Sequence, residues 1–457
     1  MRALGRPGGA QASRLTGDPP RSPTRAEAFR YWLRLGFISF GGPAGQIAIM
    51  HRELVDELRW VSERRFLHAL NYCMVLPGPE ATQLATYLGW LLHRTWGGVI
   101  AGTLFVLPSL VLLGVLSWLY VVYGDVPVVA AAFHGIKPVV VAIVAHAAWR
   151  IGSRALRHPL LWAIGVAAFL ALSIFNVPYP AIVLAAAAGG AIAVRLVPAA
   201  FAAAGIRETH AASRAAAVID DDTPTPAHAR FSRRRLLLVV TSFVAIWIAA
   251  YVALVAAVGT QSDLAHMATF FTKAAFLTFG GAYAVLPYVN QAAVETYGWL
   301  TAAQMIDGLA LGETTPGPLI MIVAFVGFVG AWTKSIFGPE ALLLAGATGA
   351  CVATFFTFLP SFLFILAGGP LVESSRDQAR FTAPLAGVTA AVVGVVVNLA
   401  VFFGVHALAP RGVVDPVAVV IAIAAAVALF RYRVGVIPVI AAGAVAGIVA
   451  AAVRGQL

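Results

Sequence analysis

Charge is scarce in this chain. Of 457 residues only 11% are charged, against roughly 25% in a soluble domain, and that deficit argues against a water-soluble enzyme. Cysteine is scarcer still. Cys73 and Cys351 both stand in apolar surroundings, so neither a disulfide framework nor a cysteine zinc site is supported. His134 and His146 lack acidic or cysteine neighbours at ligand spacing, and no metal or cofactor is expected. No Walker motif is present, which argues against ATP-driven pumping. No cluster of acids and histidines, or nucleophile beside a base, supports a membrane-embedded enzyme. Net charge is +11 and pI about 10.1, yet no aromatic–basic stripe accompanies them, so nucleic acid is not the expected partner. The first residues show no apolar region with a cleavage site, and the first helix is expected to act as the signal anchor.

Apolar residues are plentiful. They make up 60% of the chain, with mean hydropathy +0.86, which excludes disorder over most of its length. At about 20 residues per crossing the pattern predicts an all-α polytopic membrane protein. Thirteen candidate spans lie near 29–50, 66–92, 97–122, 127–149, 159–176, 179–198, 236–258, 267–290, 304–331, 341–368, 381–407, 414–430 and 434–453. Residues 1–28 read as a flexible cytoplasmic tail, 199–235 as a cytoplasmic linker and 236–258 as an extra central helix. Basic residues prefer cytoplasmic loops, and Arg94, Arg150, Arg154, Arg157, the 195–235 segment, Arg376, Arg380, Arg431 and Arg433 then share the face of a cytoplasmic N-terminus. Residues 51–65 fall on the other face by this count, although they carry Arg52, Arg59, Arg64 and Arg65. That conflict is relieved if the first two spans are re-entrant.

The chain repeats itself. Gly36-Phe-Ile-Ser-Phe-Gly-Gly42 matches Ala275-Phe-Leu-Thr-Phe-Gly-Gly281, Trp60-Val-Ser matches Trp299-Leu-Thr, and Pro77-Gly-Pro79 matches Pro316-Gly-Pro318, all in one register. After a short insertion Leu107-Pro-Ser109 matches Leu359-Pro-Ser361. Two homologous halves, 29–198 and 267–454, flank one extra helix. An odd number of spans between the repeat starts predicts inverted topology, a recurring plan of secondary transporters.

The repeated motifs interrupt helices. Gly41-Gly42-Pro43, Gly280-Gly281, Pro77-Gly78-Pro79 and Pro316-Gly317-Pro318 all sit inside apolar spans, and such sequences cannot continue a good helix. Freed backbone is tolerated in a membrane where it is buried in protein or lines a cavity, and half-helix N-termini suit an anion. Arg34 and Lys273 each lie seven residues before the first glycine of their break; they are candidates for anion attraction, or for snorkelling to an interface. Glu80 and Glu313 are candidates for carrying a coupling proton or for holding the broken backbone. Ser39, Gln46, Thr82, Gln83, Thr278, Thr314 and Thr315 are candidate hydrogen-bond donors to an oxyanion.

Phe40-Gly-Gly-Pro-Ala-Gly-Gln46 and Leu76-Pro-Gly-Pro-Glu-Ala-Thr-Gln-Leu84, with their echoes at 279–281 and 316–318, resemble the chromate ion transporter family in its long two-domain form. The resemblance implies chromate efflux from the bacterial cytoplasm through the inner membrane, conferring chromate resistance, with sulfate as the analogous anion. It carries the site to Gly41, Gly42, Pro43, Gln46, Pro77, Gly78, Pro79, Glu80, Thr82 and Gln83. The second half departs from this pattern, with Ala282 in place of the proline and Leu319 in place of the glutamate. The partners expected are chromate, sulfate, membrane lipid and a second copy of the chain in a homodimer. A sulfate importer or other anion carrier is the alternative.

Overall fold

The computed structural model describes residues 20–196, 216–220, 223–224, 226–374, 382–455 and 457. The tail to residue 19, linker residues 199–215, Asp221, Asp222, Arg376 and Arg380 lie outside the described residues. Among those described, all regular structure is helical apart from one isolated bridge, Val61 with Ile219. The first half comprises α1 (Arg25–Ile38), α2 (Gly42–His51), α3 (Glu63–Val75), α4 (Glu80–Tyr123), α5 (Pro127–Ala155), α6 (Pro159–Ser173) and α7 (Tyr179–Leu196). Helix α8 (Arg233–Val258) follows the linker. The second half comprises α9 (Asp263–Leu277), α10 (Ala282–Asn290), α11 (Ala302–Thr314), α12 (Ile322–Thr333), α13 (Leu342–Ser374), α14 (Thr382–Leu408), α15 (Pro416–Phe430) and α16 (Val436–Val453).

Local sequence sets the helix starts. The Thr24 hydroxyl accepts the Glu27 amide while the Glu27 carboxylate accepts the Thr24 amide, a reciprocal cap that opens α1. Ser62 and Thr301, equivalent in the repeat, cap α3 and α11. The duplication extends to irregular backbone. α2 continues into a six-residue π-helical turn at Arg52–Glu57, and α10 into one at Gln291–Thr296. The Trp60 amide then donates to Leu54 O and the Trp299 amide to Ala293 O, again equivalent pairs.

Among the described residues six helices are long and apolar enough to cross a membrane, namely α4, α5, α8, α13, α14 and α16. Straight, the 44 residues of α4 would span about 66 Å, twice a bilayer core. The helix instead folds back at His93 and Arg94, whose backbone is non-helical. A Cβ on Gly89 would strike Gly97 O at 2.5 Å, and one on Gly98 would strike Thr86 O at 2.9 Å. The short arm to Leu92 therefore packs antiparallel on the crossing arm that follows Arg94. α12 packs on α13 in the same way, with Gly327 against Gly349 and Phe328 against Gly346. Small residues let these backbones approach closely.

The ends of these elements identify two faces. On the first, the Val218 and Ile219 amides donate to Arg59 O and Trp60 O at 3.0 and 3.1 Å. His228 Nε2 bonds Trp90 O at 2.9 Å and His93 Nε2 bonds Pro23 O at 2.9 Å. The start of α1, the 51–65 turn, the His93 turn and the linker thus share one face. α8 leaves it, and its 26 residues rise about 39 Å to the opposite face. There Asp263 accepts from Trp299 Nε1 at 2.8 Å, and Asp263 lines a surface cavity with Lys334 and Ser335. The pairs α1–α2 and α3–α4 are therefore hairpins that open on the linker face, and α9–α10 and α11–α12 are hairpins that open on the other.

This arrangement corrects two expectations. Residues 51–65 lie on the linker face, so they do not break the charge rule. Spans 29–50, 66–92, 267–290 and 304–331 turn back at their breaks and do not cross. Among the described residues the second arm of α4, α5, α8, α13, α14 and α16 are long enough to cross, and the shorter apolar helices α6, α7 and α15 run between the same faces. The two pairs of hairpins open on opposite faces, the arrangement that inverted halves require.

Candidate functional site

Each hairpin tip is a glycine-bearing break. α1 stops at Ile38 and α2 starts at Gly42 with Pro43 in its first turn, across Gly41 at φ 88°. α9 and α10 are separated by Gly280 at φ 81° and Gly281 at φ 93°. Gly78 and Gly317, at φ 124° and 104°, lie between the flanking prolines of the other two tips. These backbone angles belong to glycine. Pro77, Pro79, Pro316 and Pro318 cannot donate to a helix ladder, so the reversals are written locally.

The tips meet in two cross-half pairs through hydrogen bonds. The Gly78 amide donates to Thr278 O at 2.7 Å, and the Gly317 amide donates to Ser39 O at 2.8 Å. Each Pro-Gly-Pro tip of one half thereby caps the C-terminal end of the first half-helix of the other. Gln46 Nε2 donates to Gly317 O at 2.5 Å and to Ser39 O at 3.3 Å. Gln83 Nε2 donates to Pro77 O at 2.7 Å. The Ser39, Thr278, Thr314 and Thr315 hydroxyls donate backwards to Leu35 O, Ala274 O, Leu311 O and Gly312 O.

The polarity of the junction follows. In every hairpin the entering half-helix (α1, α3, α9, α11) brings carbonyls to the tip, and the returning one (α2, α4, α10, α12) brings amides. The hydrogen bonds above engage carbonyls, whereas the first amides of a helix have no intrahelical partner. Four helix N-termini therefore face a junction whose negative ends are largely satisfied, leaving an excess of positive dipole.

Charged groups around this junction are few. The Glu80 carboxylate oxygens stand 3.6 and 3.9 Å from where a Cβ on Gly281 would lie, which places a first-half acid against a second-half break. The Glu313 carboxylate accepts the Tyr283 hydroxyl, and the Arg150 guanidinium lies 6.0 Å from the Tyr283 ring. Arg34 is exposed on α1 and pairs with the buried Glu53 at 2.9 Å, away from the tip. Lys273 is likewise exposed on α9 and makes no ion pair among the described residues. Deeper in the bundle Lys137 pairs with Asp307 at 3.3 Å, and Tyr120 donates to the same Asp307 oxygen at 3.0 Å.

The structure thus bonds Ser39, Gln46 and Gly317 in one group, Gly78 to Thr278 in another and Gln83 to Pro77 O, with Gly41, Gly42, Pro43, Gly280, Gly281 and the four prolines forming the turns. Thr82 is fully buried in the first turn of α4. Sequence reasoning did not single out Ser109, Ser361, Arg150, Tyr283 or Asp307 for the site. Only the two serines carried a signal, the repeated Leu-Pro-Ser. His134 bonds Asp415 and His146 packs edge-on against Phe430, so the two histidines serve different contacts. A separate group, His51, Asp56 and Glu63, holds its potential ligand atoms within 4.8 Å of one another. It lies at the open end of the α1–α2 hairpin, away from the tips.

The sequence pattern of the Chromate transporter family matches residues 26–193 and 265–448. The chain is 35% identical to a chromate transport protein of Pseudomonas aeruginosa, over 83% of this chain and 80% of that one. It is 30% identical to a chromate transport protein of Cupriavidus metallidurans, over 92% of both chains. It is 29% identical to a probable chromate transport protein of Synechococcus elongatus, over 83% and 84%. No solved structure matches. The chain belongs to the chromate transporter family and is a multi-pass membrane protein.

Proposed function

We propose that this member of the family exports chromate from the bacterial cytoplasm as a secondary transporter, with the linker face and N-terminus on the cytoplasmic side. The observation that carries the reading is the set of four half-helix N-termini beside breaks at which the Ser39 and Thr278 carbonyls are capped from the opposite half. Such a junction favours an anion at mid-membrane depth. The tip residues Gly41, Gly42, Pro43, Pro77, Gly78, Pro79, Gly280, Gly281, Pro316, Gly317 and Pro318 shape it. Gln46, Gln83, Ser39, Thr278, Thr314 and Thr315 hold its carbonyl ends, and Thr82 faces it from α4. Glu80 and Glu313 are the groups available to exchange a coupling proton. Arg34 and Lys273 act from the flanks of their hairpins, as a field and not as ligands.

Export of a dianion is favourable in a negative-inside cell. One charge moved through 100 mV gains about 2.3 kcal/mol, so two gain roughly 4.6 kcal/mol. Desolvation is the opposing cost, and inward-facing amides offset it. Sulfate, an equally tetrahedral dianion, is the expected competitor.

Everted membrane vesicles test the reading. Vesicles containing the chain should accumulate chromate when an inside-positive potential is imposed, and excess sulfate should compete. Arg34→Gln and Lys273→Gln should reduce uptake at low ionic strength more than at high. Vesicles that hold folded protein but show no potential-driven oxyanion flux would refute transport by this route. Cysteine labelling should reach 51–65 and 291–303 from opposite sides of the membrane.

A further inference from the structure

We infer that Ser109 and Ser361 are ligands of the transported oxyanion, one hydroxyl from each half. This assignment rests on the transport reading above and adds residues to its site. The two serines occupy equivalent positions in the repeat, in the middle of the crossing arm of α4 and of α13. Both are buried, at 0% and 3% exposure.

Their hydroxyls are distinguished from their neighbours by what they lack. Ser39, Thr86, Ser117, Thr278 and Thr357 each donate to the carbonyl four residues back, the usual resort of a hydroxyl inside a helix. Ser109 Oγ and Ser361 Oγ have no hydrogen-bond partner, nor do Thr82 Oγ1 in the first turn of α4 and Thr354 Oγ1 on α13, but the serines alone are a repeated pair, since the position equivalent to Thr354 is Gly102. An unpaired buried hydroxyl is destabilising. Finding one at the same place in both halves points to a partner that arrives with the substrate.

Both serines also sit at the junction. A Cβ on Gly317 would lie 2.7 Å from Ser109 Cβ and 3.1 Å from its Oγ, and one on Gly78 would lie 2.6 Å from Ser361 Oγ. Each serine thus presses on the Pro-Gly-Pro glycine of the opposite half, whose amide already holds the Ser39 or Thr278 carbonyl. A rotating hydroxyl there needs no backbone rearrangement to donate to an incoming oxygen.

The chemistry fits an acceptor-only tetrahedral dianion. Hydroxyl donors are neutral, so they add no fixed charge that must be desolvated or moved through the field when the carrier resets. Cations at the same positions would bind the dianion more tightly but would oppose its release and that return step. This division fits an Arg34 that is exposed and paired with Glu53, and an exposed Lys273, while hydroxyls stand beside the tips.

The test uses purified full-length chain reconstituted into vesicles, with KM and maximal rate for chromate measured separately. Ser109→Ala and Ser361→Ala should each raise KM about tenfold, the effect of losing one hydrogen bond to a charged group, and the double variant should raise it further. Maximal rate should stay within about twofold. The melting temperature without substrate should hold or rise, since an unpaired hydroxyl has been removed, while the chromate-induced rise in melting temperature should shrink. Ser109→Cys, close in size but a weaker donor, should fall between. An unchanged KM in the double variant, alongside wild-type flux, would overturn the serine assignment alone. So would a fall in maximal rate and melting temperature at unchanged KM, which marks a packing role. Absence of flux in the wild type would overturn the transport reading and this assignment with it.

Discussion

Arg65 and Glu373 tie the two halves together at the linker face, and removing either partner alone should be costly. Arg65 stands in the first turn of α3 and Glu373 in the last turn of α13. Their side chains are 6% and 1% exposed and meet at 2.6 Å. Tyr87 on α4 donates to the second Glu373 oxygen at 2.6 Å. The remaining Arg65 donors reach the linker, at Thr223 O (2.8 Å) and Asp220 O (3.4 Å). At an effective dielectric near 20, two charges about 4 Å apart attract by about 4 kcal/mol. Deleting one leaves the other buried without compensation, a loss of roughly 3–5 kcal/mol. Arg65→Met and Glu373→Leu should each be destabilised by that amount, measured as the midpoint and slope of detergent-induced unfolding. The double variant should recover most of the loss, because neither charge then has to be desolvated. Single variants within about 1 kcal/mol of wild type would show that water reaches the pair and refute the argument. A double variant as unstable as the two singles combined would refute it equally, by showing that packing and not charge holds this contact.

Two further outcomes follow from the geometry. Gly78→Ala must accept both φ 124° and a Cβ 2.6 Å from Gln83 Nε2 and Ser361 Oγ. It should abolish chromate flux and lower the melting temperature, whereas Gly42→Ala, with nothing within 4 Å of the added Cβ, should cost only about 1–2 kcal/mol for its backbone angle. Equal effects of the two would contradict the packing of the tips. His228 tests the linker: burial, with help from Arg94 and Arg235, holds its imidazole below the ordinary value of 6.5. Protonation then favours the undocked linker, so docking is complete above about pH 6.5 and weakens as pH falls below it. Hydrogen exchange at residues 226–232 should speed up between about pH 7.5 and 5.5, and in His228→Gln any remaining change should not follow this titration. A wild type with flat, pH-corrected exchange would contradict the docking geometry.

Much of the site was legible before folding was considered. Gly41-Gly42-Pro43, Gly280-Gly281 and the two Pro-Gly-Pro motifs break helices because of what glycine and proline are, and each break stands where the motif predicts. The shared register of the two halves was legible too, down to the equivalent caps Ser62 and Thr301. Illegible was whether the chain continues or turns back after a break. A run of about 20 apolar residues is long enough to cross, and hydropathy is blind to a reversal in the middle. Arg34 shows the same limit. Its spacing from Gly41 gives a height along α1, but its bond to Glu53 depends on how the hairpin closes.

By composition and local stereochemistry, then, the chain determined its solvent, its duplication and the positions of its four interruptions, since these depend on residues within a few places of one another. Tertiary structure decided which carbonyls are capped and which hydroxyls are left unpaired. The bonds from Gly78 to Thr278 and from Gly317 to Ser39 join residues hundreds of positions apart. Only when the two halves interlock do these bonds join helix breaks that lie far apart along the chain.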